Sequence, residues 1–362
     1  MKNKLVLLKS SFDRRLPFHP KHLLELDELT KNYIAVEHDY GEHFLVYDDS
    51  FKDNQIEVIN REELRSSEYR HFIILKPTSD DLLFLPDNSM ILGWIHLGLQ
   101  PKLIDICTKK DITLVGLEYL NIFNNKIDFL KANSFIAGYV SVYDAFGYHG
   151  VKLDLINKLH NLKAIVFGYG NVAKGSIKAL QELGITSYVI TKQSLNGISK
   201  LNKTIRMFQI VKTSQGFKLN NTVSSGEELK LPEDLTKFDF IINASLNNED
   251  FPILYQKDFH LLKQNCLIVE VSFAFKNSYI VFDENILKNL KDYQMVDNVF
   301  LYAKSNVPDI LFKIATTKLS VGFHTIIKDV INFCFHKKSI DYLDSSVVFT
   351  NRIVNRSLNL YR

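Results

Sequence analysis

The stretch Lys163–Ile185, "KAIVFGYGNVAKGSIKALQELGI", decides the fold. It reads as an apolar strand, "AIVF", a glycine-rich turn, and the helix "NVAKGSIKALQEL". The turn is G-x-G-x-x-A, made by Gly168, Gly170 and Ala173. Gly168 permits the tight turn, Gly170 lets the backbone approach a pyrophosphate, and the small Ala173 lets the helix pack closely on its strand. The helix opens at Asn171 and Val172, whose unpaired N–H groups and positive dipole end suit an anion. This pattern predicts a bound dinucleotide in a Rossmann-like domain; the bland alternative is a tight strand-to-helix turn with no ligand. The next strand, "SYVIT", runs into Thr191, Lys192, Gln193 and Ser194, with no acidic residue where a free ribose 2′-hydroxyl would be held. Lys192 and the neighbouring hydroxyls favour a 2′-phosphate, so NADPH is expected over NADH.

Outward from this turn the pattern repeats. "FDFIINAS" and "CLIVEVS" follow as further strands, with helical stretches between. Before residue 125, "KLVLL", "YIAVEH", "HFIILK", "MILGWIH" and "ITLVGLEYL" alternate with helix-like segments. Such alternation argues for parallel sheets covered by helices, hence two doubly wound α/β domains. Between the blocks, Phe129–Gly150 is apolar on a broad face and lacks an internal proline, which predicts one long bridging helix. Residues 194 to 236 are Ser/Asn-rich and read as an irregular hairpin or surface insertion. From Val307 onward, with Pro308 at a helix start, a second long helix is expected, able to carry the chain back to the first block.

The bulk numbers exclude several classes. The 362 residues are 46% hydrophobic and 23% charged, enough for about two domains with cores. Lys and Arg total 44 against 41 for Asp and Glu, a net charge near +3, which gives no strong field for nucleic acid or an acidic membrane. Cys107, Cys266 and Cys334 are far apart and without metal-ligand spacing, so buried thiols in a reducing cytoplasm are expected. No run approaches the ~20 apolar residues of a membrane span, and the N-terminus does not read as a signal peptide.

Candidate chemical groups gather at the ends of the first block's strands, where open α/β sheets collect ligands. Arg14 and Arg15 follow the first strand, Lys76 ends "HFIILK", and His96 ends "MILGWIH". An Arg fork and a Lys suit a small carboxylate, and a His beside them can move a proton near neutral pH. Taken singly, each also reads as a strand-end residue meeting solvent. His19, His22, His38 and His43 read as surface histidines without metal-ligand rhythm, and Asp80-Asp81 as a solvated helix start. No hydrolase or metal site is expected.

With these residues in view, the sequence resembles the alanine dehydrogenase and transhydrogenase superfamily. It closely resembles the opine-forming N5-(carboxyethyl)ornithine synthase branch, which reductively joins pyruvate to the side-chain amine of ornithine. The resemblance runs in order through "DRRLPFHP", "ILKPTS", "MILGWIH", "NSFIAGYVSVYDA", "FGYGNVAKG", "FDFIIN", "LIVEVS" and "SNVP". It implies a discontinuous substrate domain, residues 1–140 plus 322–362, a dinucleotide-binding domain, residues 141–321, and a cleft between them. By matching motif, it implies that Arg15 and Lys76 hold a keto-acid carboxylate and carbonyl, and that His96 is the acid/base group. It further implies that Ser134 touches the cofactor phosphates, Gly168, Gly170 and Ala173 line the pyrophosphate, and Ala244, Ser245, Val271 and Ser272 border the nicotinamide ribose. A keto acid and an amino acid are the implied partners, in a cytoplasmic homo-oligomer.

One departure is visible. Family enzymes carry a second Asp in a D-V-A-x-D pattern after the last strand, and here Glu270-Val271-Ser272-Phe273 leads to Ala274. Three expectations therefore stand side by side: an opine-type reductase, a non-catalytic or accessory NAD(P)-binding homologue, and an alanine dehydrogenase-like enzyme.

Overall fold

The computed structural model describes residues 3–95, 102–120, 129–153, 162–194, 204–214, 216–221, 228–245, 252–272, 278–350 and 353–354. The chain divides into two compact units, Met1–Asn133 with Leu311–Arg362, and Ser134–Ile310. The sequence alone had placed these divisions at residues 140 and 321. The first one falls inside the helix Phe129–Leu153, whose unbroken apolar pattern carries no internal signal of it.

The first unit is built on one eight-stranded sheet. Its strands are β1 (Leu5–Leu8), β2 (Ile34–Glu37), β3 (Glu57–Ile59), β4 (His71–Ile74), β5 (Met90–Gly93) and β6 (Thr113–Gly116), with β17 (Val347–Thr350) and β18 (Ile353–Val354) returning from the C-terminus. The order is β18-β17-β6-β5-β4-β1-β2-β3. The strands from β3 to β6 run parallel, and β17 joins β6 antiparallel. Period-two alternation explains why β1 is apolar throughout: Leu5 and Leu7 enter one core with Phe18, Ile73, Phe323 and Ile327, while Val6 and Leu8 enter the opposite core with Phe72, Leu82 and Leu103. Both faces are covered, so every residue of β1 and β2 is buried.

The second unit holds β7 (Lys163–Phe167), β8 (Thr186–Thr191), β9 (Ile205–Thr213), β10 (Gly216–Asn221), β11 (Phe240–Asn243), β13 (Leu267–Glu270), β15 (Tyr293–Val296) and β16 (Val299–Tyr302). Their order is β10-β9-β8-β7-β11-β13-β16-β15. A separate parallel pair joins β12 (Leu254–Tyr255) to β14 (Ile280–Val281). The segment expected to be an irregular hairpin or surface insertion contains a hairpin, β9 antiparallel to β10, and β9 joins it to the main sheet by pairing parallel with β8. Its polar composition reflects a strand ladder at the sheet's edge, where side chains meet water on exposed faces. The strands β15 to β18, which bring antiparallel pairing to the margins of the two sheets, were also not anticipated. They are short, and two to four residues carry too little periodicity to read.

Two helices behave as expected. The helix Phe129–Leu153 is continuous, and a 3-10 turn at Val307–Leu311 leads into the helix Phe312–Phe335. Contrary to the sequence reading, Val307–Phe335 is long and apolar enough by length and composition to cross a membrane. It buries Ala315, Leu319, Phe323, Ile326, Ile327 and Val330 at helical spacing, which makes it a core helix of the first unit. The pair Asp80-Asp81 is likewise more than a solvated start. Asp81 is 3% exposed, closes a capping box with Thr78, and accepts from Arg61 at 2.6 Å.

Candidate functional site

In each sheet the chain leaves a central strand in both directions, and ligands of open α/β sheets sit at the carboxyl ends where that reversal occurs. In the first unit the reversal lies between β1 and β4. The loops that follow these two strands carry Asp13, Arg14 and Arg15, and Lys76. The Ser10 hydroxyl donates to the Lys76 carbonyl at 3.0 Å and ties the loops together. A charged network secures the start of the first loop. Arg61 donates to Glu37 at 2.8 and 3.1 Å, to Asp81, and to the Lys9 carbonyl at 2.5 Å, while Lys9 N donates to Glu37 at 2.8 Å. The paired carboxylates outweigh the burial that would pull the Arg61 guanidinium down, and its pKa is raised.

Arg15 and Arg14 diverge. Arg14 is exposed and lies over the Phe312 ring at 4.6 Å. Arg15 is 1% exposed and already bound: Nε and Nη2 donate to the two Asp13 oxygens at 2.9 and 2.5 Å, and Nη1 donates to Asn133 Oδ1 at 2.5 Å. The bidentate fork expected for a substrate carboxylate is thus made with Asp13. Asp13 neutralises the charge and fixes the plane of Arg15, and both partners are buried. Lys76 is half-buried just beyond β4. His96 lies outside the described residues, as do Phe273 and Ala274.

In the second unit the reversal lies between β7 and β11, and the glycine turn follows β7. Gly168 has φ +109°, which L side chains rarely adopt, and a Cβ there would come within 2.8 Å of Ser245 Cβ and 2.9 Å of the Ala244 carbonyl. Ala244 N donates to the Phe167 carbonyl at 3.0 Å, so Gly168, Ala244 and Ser245 share one patch. Gly170 is different: a Cβ there would meet nothing within 4 Å. Among the described residues no atom demands a glycine at Gly170, while an approaching pyrophosphate would. Gly170 is the N-cap of the helix Asn171–Glu182 and offers no side-chain cap, so the first-turn N–H groups of Asn171, Val172 and Ala173 point at that open space. Ala173 is fully buried against the sheet. These residues fit a dinucleotide phosphate.

The long helix supports this turn by close packing. A Cβ on Gly138 would stand 1.8 Å from the Val172 carbonyl, and one on Gly175 would stand 2.0 Å from the Phe135 carbonyl. Ser176 Oγ donates to the Gly138 carbonyl at 3.1 Å. Ser134 precedes Gly138 by one turn and shares its face, which places it toward the start of the Asn171–Glu182 helix. Thr191 ends β8, is 3% exposed, and its hydroxyl accepts from Gln193 N at 3.1 Å; Lys192 is exposed beside it.

Val271 and Ser272 follow β13 and are held by a group the sequence reading did not single out. Glu270 is fully buried and accepts from Ser272 N at 3.0 Å, from the Ser272 hydroxyl, and from Asn243 Nδ2 at 2.8 Å. Asn243 Nδ2 also donates to Ser278 Oγ at 2.7 Å. Burial pushes the Glu270 carboxyl up, against the hydrogen bonds from Ser272 and Asn243 that pull it down. The signal was present as an acid inside the apolar run "LIVEV". Asp13 and Asn133 were missed for another reason: each stands beside a residue already assigned a role, in "DRR" and "ANSF".

Elsewhere, His38 Nδ1 lies 3.2 Å from Asp39 and 2.5 Å from Asp48 at the surface. All three cysteines are buried, and burial pushes the Cys107 and Cys334 thiols up to about 12, which makes both inert.

Two parallel-dominated sheets, each with its reversal point, and a glycine turn at one of them define the class: the two-domain α/β fold of alanine dehydrogenase. L-alanine dehydrogenase superposes with a TM-score of 0.70 at 14% identity, covering 97% of this chain and 96% of that one. The transhydrogenase from Sinorhizobium meliloti gives 0.63 at 13% identity, with 97% and 99% covered. In sequence, the chain is similar to N(5)-(carboxyethyl)ornithine synthase of Lactococcus lactis subsp. lactis (strain IL1403), 27% identical over 337 residues, 88% of this chain and 93% of that protein. A second synthase of that name from Lactococcus lactis subsp. lactis is 26% identical over 338 residues, covering 88% and 92%. No family model matches the chain. The resemblance read from the ordered motifs is therefore upheld.

Proposed function

We propose that the chain is an NAD(P)H-dependent reductase that joins a 2-keto acid such as pyruvate to the amine of an amino acid. The observation that carries this reading is the open space at Gly170 in front of an uncapped helix N-terminus, in a chain similar to carboxyethylornithine synthases along nearly its whole length. The Ser134–Ile310 unit is the dinucleotide domain in this reading and the discontinuous unit the substrate domain. Gly168, Gly170, Asn171, Val172 and Ala173 hold the pyrophosphate; Ser134 supports it; Thr191 and Lys192 meet a 2′-phosphate, favouring NADPH over NADH. Ala244, Ser245, Val271 and Ser272 border the nicotinamide ribose. The cofactor, when bound, supplies the hydride.

The chain's own residues bind and orient. Lys76 and the Asp13-oriented Arg15 hold the keto-acid carboxylate and carbonyl, and His96 moves the proton. A cytoplasmic homo-oligomer accompanies the reading. The test is NADPH absorbance with pyruvate and a panel of diamino acids. Turnover in wild type and its loss in His96→Ala, with NADPH binding retained, supports the roles; unchanged turnover in His96→Ala removes that residue. Ala274, where family enzymes carry an Asp, favours a second reading, a nucleotide-binding protein without turnover. NADPH binding with no oxidation across keto acids and amines would select it, and oxidation of alanine alone would select an alanine dehydrogenase.

A further inference from the structure

Trp94 is the chain's single tryptophan, it follows β5 directly, and it is 2% exposed. An indole N–H can only donate, and a buried one ordinarily finds an acceptor. Among the described residues nothing accepts from Trp94 Nε1, although its surface is fully withdrawn from water. A phenylalanine would fill this place without burying an unmet donor, so the indole N–H is a cost without a return among the described residues.

Its surroundings define what would meet it. The Arg15 guanidinium carbon stands 5.1 Å from the centre of the Trp94 ring. Asp13 and Asn133 fix the plane of that guanidinium. The position of Trp94 is fixed as well: at Gly93, a Cβ would come 2.1 Å from the Ile74 carbonyl, so β5 presses against β4 just where the chain turns out to Trp94. Lys76 leaves the end of that same β4. The Arg15, Lys76 and Trp94 side chains all carry donors and no acceptor. A ligand that meets the Trp94 N–H beside the Arg15 cation must bring acceptor oxygens and negative charge, as a small carboxylate does.

We infer that the Trp94 indole N–H donates to the carboxylate of the keto-acid substrate, beside Arg15. This deepens the reductase reading and rests on it for the identity of the anion. It also makes a distinction of its own, since a neutral amide or ester in place of the carboxylate loses this contact.

A single tryptophan gives a single indole cross-peak in a nitrogen-15 correlation spectrum of the full chain. Pyruvate is titrated with NADP⁺ present, so that no reduction occurs, and pyruvamide serves as the neutral probe. The expected result is a saturable downfield shift of the indole proton with pyruvate and none with pyruvamide. Trp94→Phe should weaken pyruvate binding about tenfold or more, the loss of one charge-assisted hydrogen bond, with NADP⁺ affinity unchanged. The wild-type spectrum gives the answer even if Trp94→Phe folds poorly. NADPH oxidation with pyruvate and amines, with an unmoved indole peak, overturns the inference and leaves the reductase reading standing. A shifted peak without turnover in any pairing keeps the inference and overturns the reductase reading. No shift and no turnover overturns both.

Discussion

Gly138 meets the carbonyl of Val172 so closely that an added Cβ would stand 1.8 Å from its oxygen. The neighbour is backbone, so it cannot rotate away, and the two helices must separate to admit a methyl group. Gly138→Ala is expected to destabilise the chain by about 2–4 kcal/mol. Gly147, on the same helix, has nothing within 4 Å. There alanine restores helix propensity, and Gly147→Ala should stabilise by about 1 kcal/mol. Urea midpoints of the two variants moving in the same direction would contradict this packing.

Gly170 and Gly168 separate folding from binding. Gly170→Ala meets no atom of the described residues, so its melting temperature should match wild type while its NADPH affinity drops at least tenfold. Gly168→Ala pushes a methyl against Ser245 at φ +109° and should lose stability as well. Fluorescence titration of NADPH beside thermal unfolding reads both. Undiminished NADPH binding by Gly170→Ala would remove the glycine turn from the cofactor site.

Glu270 has a raised pKa in the folded chain, so folding binds a proton that the unfolded chain releases above its ordinary value. Stability from this group is present at low pH and is lost as the pH rises toward the folded value. Glu270→Gln keeps the shape and cannot ionise. Its melting temperature should fall less than that of wild type as the pH rises from 4.5 toward neutrality. Parallel pH profiles for the two proteins would show that Glu270 is charged.

His71 works in the opposite direction. Burial lowers its pKa to about 4, with the ring 4.8 Å from Phe335. Between 6.5 and about 4 the unfolded chain takes up a proton that the folded chain refuses, so stability falls as the pH drops through that window. His19, also lowered to about 4, adds to the same slope. Calorimetric scans at pH 7 and pH 5 should show a smaller loss in His71→Phe than in wild type. An identical loss would place the acid sensitivity elsewhere.

Asp13 holds Arg15 where both are buried. Asp13→Ala leaves an unpaired buried guanidinium, and the expected cost is about 3–5 kcal/mol. A denaturation midpoint within error of wild type would mean that water or a neighbouring group already compensates Arg15.

By itself the sequence determined the class of fold and the place of the cofactor turn. Apolar strands of four to six residues between helical segments encode parallel pairing locally, because a strand buried on both faces cannot alternate in polarity. The glycine turn is legible for the same reason: its φ, its close approach and its helix start depend on a few consecutive residues. The long helix from Phe129 and the helix entered through Pro308 were equally local in origin.

Tertiary structure decided what lies across the chain. That Arg15 spends its fork on Asp13 and reaches Asn133, 118 positions away, depends on where loops meet after the sheet has formed. Glu270 reads as an odd acid in a strand until Asn243 and Ser278 arrive beside it from other elements. The edge strands near Tyr293 and Val347, and the entry of β9 and β10 into the main sheet, are set by the neighbour each strand finds. Short strands carry little pattern of their own, and burial of a polar group depends on the elements packed around it, so neither is written in any single window of sequence.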